Sequence, residues 1–315
     1  MAANANFDEI LTTTLNNYVP KLEDNVFSAR PLFYALTGDG MRTVSGGAKI
    51  VVPIIYGTNS TAGSYSGTDT ISTTAQDGIS AAEYDWGQYA ATVTINGLEE
   101  AKNNGEAQII DLLEGKIFQT QETIIENMNT MFHADGTGNS GKDWNGIANI
   151  VKAGTSSNTL GGIDPSGSGN SFWAASSTAS TGALTLAKMA TRYNAVSVGN
   201  DQPTIIITTV TLYEAYEALL TSNIRYTDTD MADAGFQNLM YKACPITFDG
   251  ANASGAMYML NTKYLQLVRH SDTWFKPTPF VRPTNQDAVF SQILCYGQLT
   301  CSNRARQGLL AGATA

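Results

Sequence analysis

The chain has 315 residues, a net charge of −10 from 18 Lys+Arg against 28 Asp+Glu, 43% hydrophobic residues and only 15% charged ones. That is apolar material enough for one large domain or two ordinary ones. The absence of any Lys/Arg run excludes sequence-independent nucleic-acid binding through phosphates, and the absence of 18 consecutive apolar residues excludes a membrane-spanning helix.

Residues 1–44 read as an arm. Phe7, Ile10, Leu11, Leu15 and Val19 predict a short amphipathic helix, which Pro20 and Pro31 then break. Phe27, Leu32, Phe33 and Leu36 are too few to make a core, so the segment must pack on another body, its own or a neighbour's. The first residues, MAANANFDEIL, lack a basic region followed by an apolar one, so no signal peptide is expected.

Gly46 and Gly47 mark a turn into a β-rich run, residues 49–56 (KIVVPIIY), whose Pro53 places it at a sheet edge. Residues 57–82 are poor in large apolar side chains and rich in Gly, Ser and Thr. Strand chemistry resumes over residues 84–95, where Tyr89, Ala91, Val93 and Ile95 alternate with Ala90, Thr92 and Thr94. The two runs predict a long hairpin whose connecting loop, about 26 residues, cannot bury its own tip. Such a loop is either an unstructured surface excursion or an arm laid on a neighbouring subunit, and the flanking strands favour the arm.

Gly97 ends the hairpin, and residues 105–134 predict one long helix. Ile110, Leu113, Ile117, Gln121, Ile124, Met128 and Met131 form a stripe at steps of three and four, and Phe118, Ile125 and Phe132 widen it. At about 1.5 Å per residue such a helix spans roughly 45 Å. Gly115 and Gln121 interrupt any heptad seam, so a single spine lying on a sheet is expected rather than a coiled coil.

A stop-and-turn signal (DGTGNSG, 135–141) follows, then a short apolar stretch with Trp144, Ile147, Ile150 and Val151. Residues 153–182, rich in Gly, Ser and Thr, are the best candidate for a linker or surface excursion. Residues 184–196 predict a helix, 204–209 (TIIITT) a buried strand, 212–220 a second helix, and 242–248 a strand containing a proline. Together they form a compact α/β unit. Residues 256–260, 264–269, 274–281 and 288–301 then read as strands. In the last, Val289, Ile293, Cys295 and Leu299 share one face and Phe290, Leu294 and Tyr296 the other, so both faces are expected to be covered. The chain leaves one region near residue 180 and returns after 255, the pattern of an inserted domain.

Candidate chemistry is sparse. Cys244, Cys295 and Cys301 match no metal motif, and an odd count argues against a disulfide framework, so they read as buried thiols. His133 and His270 lack a nucleophile or orienting group nearby in the pattern. Gly136–Gly141 fits G-x-G-x-x-G but follows a helix instead of a strand, the wrong context for a dinucleotide. Asp228, Asp230 and Asp233 lack the glycine and terminal Glu of a calcium loop. The sequons at Asn59 and Asn252 are expected by chance in a chain so rich in Ser and Thr. No catalytic, cofactor-binding or metal site is expected.

The order of parts resembles the major capsid proteins of tailed bacteriophages, whose fold is shared by encapsulin shells. Three stretches carry the resemblance most specifically: WNGIANIV (144–151), GFQNLMYKACPITFD (235–249) and CSNRARQGLL (301–310). The resemblance implies an α+β capsid fold. Its N-terminal arm would be residues 1–44, its extended β-hairpin loop 45–98, and its peripheral domain 99–182 with the spine helix at 105–134. The axial domain would be 183–255, with return strands of the peripheral domain and a tail over 256–315.

It further implies a non-enzymatic structural protein, without cofactor, that assembles with itself into hexamers and pentamers of an icosahedral head around double-stranded DNA. That DNA would not be bound sequence-specifically. Scaffolding protein, portal and a decoration protein would be partners. No membrane would be, and the protein would reside in the virion after assembly in the host bacterial cytoplasm. Two departures stand out. Residues 57–82 contain no lysine, so the Lys–Asn crosslink of some relatives is not expected from the loop. The chain also begins at the arm, so any scaffolding would be a separate protein or already removed. An encapsulin-type shell, or a secreted Ser/Thr-rich adhesin or binding protein, are the alternatives.

Overall fold

The computed structural model describes residues 30–38, 41–102, 106–154, 158–220 and 239–315, with the side chains of 100–114 outside that description. The expected helix carrying Phe7 to Val19, the side chains of Ile110 and Leu113, and the Asp228, Asp230 and Asp233 loop therefore lie outside the described residues.

Helix α1 (Pro31–Gly38) leads into strands β1 (Met41–Val44), β2 (Ile50–Ile55), β3 (Ile79–Tyr84) and β4 (Gly87–Asn96), then helices α2 (Gly97–Lys102) and α3 (Glu106–His133). A one-turn helix α4 (Ile147–Ile150) precedes β5 (Ser176–Ser177) and β6 (Gly182–Ala183). Helices α5 (Leu186–Val196) and α6 (Val210–Leu219) bracket β7 (Ile205–Thr208). Strands β8 (Leu239–Tyr241), β9 (Cys244–Phe248), β10 (Met257–Leu260), β11 (Leu265–His270), β12 (Lys276–Pro277), β13 (Ala288–Cys301), β14 (Gly308–Leu310) and β15 (Ala313–Thr314) complete the chain. This is the mixed α+β class expected from the sequence.

The long helix α3 lies on a five-stranded sheet ordered β1-β11-β13-β12, with β4 on the other side of β13. Its stripe is buried at Ile117, Gln121, Ile124, Met128 and Met131. Each buried aliphatic side chain there is worth on the order of 1.5–3 kcal/mol relative to exposure. The second row divides: Ile125 and Phe132 are buried, whereas Phe118 is 49% exposed. On β13 the face bearing Val289, Ile293, Cys295 and Leu299 is buried, but Phe290, Leu294 and Tyr296 are only half-buried, so the expectation of two covered faces is corrected.

A six-stranded sheet, ordered β5-β14-β10-β7-β9-β8, forms the second layer. β10, read from the sequence as a return strand of the first sheet, lies here instead, and so does β14, from a stretch read as a small flexible tail: Leu309 and Leu310 are buried and pair with β10. Successive side chains of a strand point to opposite faces, and here each face meets a different core. Ile205, Ile207, Tyr258, Leu260 and Leu309 join the main core with α3 and β13. Ile206, Met257, Met259 and Leu310 join a second core with Met189, Tyr193, Leu212 and Tyr216 of α5 and α6. The unbroken apolar runs of β7 and β10 follow from this: a strand covered on both faces has no polar side to alternate with.

Three further expectations are corrected. The strand partnering β2 is β3, residues 79–84, with Ile50 opposite Tyr84 and Ile55 opposite Ile79. The stronger run that follows is β4 and pairs with β13. The expected strand at 242–248 starts at Cys244, because Lys242 and Ala243 form the left-handed turn (φ 48° and 63°) of a β8–β9 hairpin. The expected strand at 274–281 shrinks to β12 and one bridge, Val281 to Phe290.

The WNGI stretch has a clear packing role. Trp144 is fully buried beside Phe132 and Trp274. Gly146 lies against the last carbonyls of α3, where a Cβ would collide with the main-chain oxygens of Ala134, Met131 and Phe132. Only glycine allows the chain to turn back that close to the helix end.

Candidate functional site

The β2–β3 ribbon is an organised feature with an exposed apolar face. Its alternation puts Ile50, Val52, Ile54, Ala82 and Tyr84 inward and Val51, Pro53, Ile55, Ile79 and Ala81 outward. Ile55 and Ile79 sit directly opposite one another and are 80% and 76% exposed. An apolar cross-strand pair this exposed contributes little to the subunit alone. The connecting residues 58–77 are exposed almost throughout, Tyr65 and Ile71 among them. Their hydrogen bonds are local, such as Ser60 Oγ to Gln76 Oε1 at 2.7 Å and Ser66 N to Asp69 Oδ2 at 2.8 Å.

The base of the ribbon is held by its own chain. The Tyr84 hydroxyl donates to the Cys301 carbonyl at 2.8 Å and accepts from the Cys301 N–H at 3.2 Å. The Trp86 indole N–H donates to the Gly47 carbonyl at 2.8 Å. Residues 158–173 form a buttress beneath it. The Glu83 N–H donates to the Gly161 carbonyl at 2.9 Å, and Tyr56 stacks on Phe172 with ring centroids 4.8 Å apart and planes within 14°. Gly161 sits at φ +59°, where a Cβ would strike Ala82. Trp173 and Leu160 anchor the buttress in the main core, and the Trp173 indole donates to the Leu160 carbonyl at 2.9 Å. The linker or surface excursion expected over residues 153–182 is therefore corrected, over the described part 158–182, to a packed support. Trp173, Phe172 and Leu160 were the available signals, outweighed by the surrounding Gly, Ser and Thr.

Arg304, in the third of the resemblance stretches, fixes the start of this buttress. It is fully buried. Its Nε donates to the Ile150 carbonyl at 2.6 Å, Nη1 to the Asn158 carbonyl at 2.8 Å, and Nη2 to the Asn149 carbonyl at 3.3 Å and to Asn158 Oδ1. Ile150 and Asn149 end α4, so the guanidinium satisfies carbonyls that the helix leaves open. Burial lowers its pKa.

A second polar cluster joins the two layers. Asn129 Nδ2 donates to both carboxylate oxygens of Asp249 at 3.1 Å, and the Ala251 N–H donates to Asp249 Oδ1 at 2.9 Å. His133 is buried alongside, with Nε2 3.8 Å from Asp249 Oδ2. Its Nδ1 lies 2.9 Å from the Asn129 carbonyl, which can only accept, so Nδ1 carries the proton. Burial holds the imidazole pKa below its ordinary value, against the opposing pull of the Asp249 carboxylate. This is the PITFD stretch tied to the spine.

These groups do not assemble a reaction centre. All three cysteines are buried. Burial raises the Cys244 thiol pKa and pushes that of Cys301 up to about 12, far from a reactive thiolate. His270 is an acceptor for the Asp272 N–H at 3.2 Å and packs edge-on to Trp86. The G-x-G-x-x-G stretch is a turn with Gly136, Asn139, Ser140 and Gly141 in the left-handed region, and it opens no dinucleotide-binding helix after a strand. Among the described residues no group of three or more His, Cys, Asp or Glu is placed to hold a metal ion, and no helix is long and apolar enough to cross a membrane.

No protein-family model and no curated sequence matches the chain. Solved structures do. The capsid asymmetric unit of cyanophage A-1(L) superposes with a TM-score of 0.63 at 16% identity, over 90% of this chain and 93% of that one. The capsid of a native GTA particle gives 0.58 at 12% identity, over 89% and 90%. The holo-SrpI encapsulin of Synechococcus elongatus gives 0.54 at 9% identity, over 89% and 87%. The chain has the capsid-type fold shared by these particles.

Proposed function

We propose that this protein is the major capsid subunit of a tailed phage, assembling with itself into hexamers and pentamers of an icosahedral head that encloses double-stranded DNA. The observation that carries the reading is the ribbon. A rigidly buttressed base presents an exposed Ile55–Ile79 pair and a long exposed loop that no other described residue covers. Apolar surface displayed on a fixed arm gains free energy only when a second body covers it, and heterologous contacts of that kind close into rings. The near-complete coverage of capsid chains by the fold supports the same reading.

In this reading residues 1–44 are the arm, 45–98 the extended loop and 99–182 the peripheral part with its spine. Residues 183–255, joined by β10 and β14, are the axial part. Scaffolding, portal and decoration proteins are its partners, and the packaged DNA meets an acidic subunit that does not grip it. An encapsulin-type shell is the second reading, favoured by the likeness to the Synechococcus particle.

Negative-stain electron microscopy of the purified protein tests the proposal. Closed shells, or rings of five and six, are expected; a 34-kDa monomer under every condition of salt and concentration overturns it. Nuclease-protected DNA in particles from infected cells separates a phage head from an encapsulin-type shell.

A further inference from the structure

The geometry points to the free edge of β4 as a strand-pairing site for a second copy of this chain. Resting on the shell reading above, this inference adds where the main chain of one subunit joins that of another.

An open strand edge is a template for pairing, and proteins blunt it with proline, charge, shortness or cover. In the ribbon, the β2 edge carries Pro53, which has no N–H to offer, and the β3 edge is engaged by Gly161. The six-stranded sheet ends in strands of two and three residues, β5 and β8, and the first sheet begins with the four residues of β1. β4 is different. It has ten residues, GQYAATVTIN, with no proline and no charge, and among the described residues it pairs only with β13.

The register shows which groups are on offer. On β13, Phe290 exchanges hydrogen bonds with Val281, the Gln292 carbonyl accepts from the Thr278 N–H, and the Tyr296 N–H donates to the Thr273 carbonyl. Those three residues turn their main chain away from β4. Their opposite numbers Thr94, Thr92 and Gln88 therefore turn theirs away from β13, as an antiparallel ladder requires. Lys116 Nζ donating to the Thr94 carbonyl at 3.0 Å agrees with this parity. That bond, and Asn96 N–H to Glu99 at 3.5 Å, occupy the far end of the edge. Gln88, Ala90 and Thr92 are left with outward N–H and C=O groups that no described residue meets, and their side chains are exposed.

The occupant is a second copy because of charge. The chain carries −10 overall, so two identical copies meet with least repulsion along a face that has no charge. A ten-residue edge without a charge can accept an extended uncharged segment from an identical subunit without opposing like charges. Pairing by main chain is the strand-addition mode of recognition.

Hydrogen exchange read by mass spectrometry on wild-type protein, with subunits and assembled particles separated by size, tests this directly. Amides of Ala90 and Thr92 should exchange quickly in subunits and at least tenfold more slowly in particles, while Ala91 and Val93 are slow in both. Equal exchange of Ala90 and Thr92 in the two fractions overturns the inference while leaving the shell reading intact; a protein that never assembles overturns both. Thr92→Pro removes an outward N–H without touching the β4–β13 ladder. It should melt near wild type yet cut the assembled fraction at least tenfold, whereas Thr92→Val, which keeps the N–H, should assemble normally. A Thr92→Pro protein that folds and assembles like wild type overturns the inference. If Thr92→Pro fails to fold, the wild-type exchange pattern decides alone.

Discussion

Arg304 meets Asn158 twice, through the main-chain oxygen at 2.8 Å and through the side-chain Oδ1, inside the protein. A fully buried guanidinium held by neutral oxygens is sustained by geometry, since five planar donors match carbonyls spread over Asn149, Ile150 and Asn158. Arg304→Met should cost about 3 kcal/mol, because several carbonyls lose their donor at once. Arg304→Lys should cost nearly as much, since an ammonium cannot span the same oxygens. Denaturant unfolding measures both, and a lysine variant as stable as wild type contradicts the account.

The Tyr56–Phe172 stack should decide how firmly the ribbon is held. Phe172→Ala should remove about 0.5–1.5 kcal/mol of local stability beyond the area lost. The loss should appear as faster amide exchange across β2 and β3, with α5 and α6 unchanged. Uniformly faster exchange over the whole chain would mean that the ring supports the core rather than the ribbon.

Charging the outer ribbon face should separate folding from assembly. Ile55 and Ile79 are so exposed that Ile55→Asp with Ile79→Asp should leave the subunit's melting temperature within a few degrees of wild type. Light scattering should show assembly abolished. Normal assembly of the double variant removes this face from any contact.

His133 gives a pH dependence whose sign is fixed by burial. Its folded pKa lies below the unfolded value of about 6.5. The unfolded chain therefore binds the proton first as pH falls. The associated stability is complete above pH 6.5 and is lost progressively as pH drops through that value toward the folded pKa. Comparing unfolding free energies at pH 7.5 and 5.5, wild type should lose more than His133→Gln. Equal losses would place the acid sensitivity elsewhere.

The β8–β9 turn stores a smaller strain. Ala243 is exposed at φ +63°, a region that costs an L-residue of this kind 1–2 kcal/mol (roughly) and glycine almost nothing. Ala243→Gly should stabilise the protein by roughly 0.5–1 kcal/mol after glycine's greater unfolded-state entropy is subtracted. A rise in melting temperature is the expected reading.

The spine was legible because its stripe repeats over many turns, and the buried strands because TIIITT and MYML have no polar side. Sequence periodicity could not choose β3 as the ribbon's partner. ISAAEY offers only Ala82 and Tyr84 to the interior, while the Tyr89-to-Ile95 alternation next to it is far stronger. The buttress was hidden by composition: Trp173 and Leu160 hold it, but Gly, Ser and Thr surround them. The Asn129–Asp249 contact joins residues 120 positions apart, and no local pattern announces a partner at that distance. Arg304 lies in the CSNRARQGLL stretch, but nothing local in that stretch shows that its partners are carbonyls of Asn149, Ile150 and Asn158.

The sheet shared by two cores has a practical consequence. Ile206 faces one interior while Ile205 and Ile207 face the other. Residues 183–255 therefore cannot be excised as a cassette, because a truncated chain would lay bare the wall of the chamber that remains. A chimera replacing them must bring its own strand, greasy on both sides. Foreign peptide grafted into the turn closed by Ser66 and Asp69 would disturb no hydrogen bond to another described part of the subunit, so whether it is tolerated would be decided by the neighbouring copy.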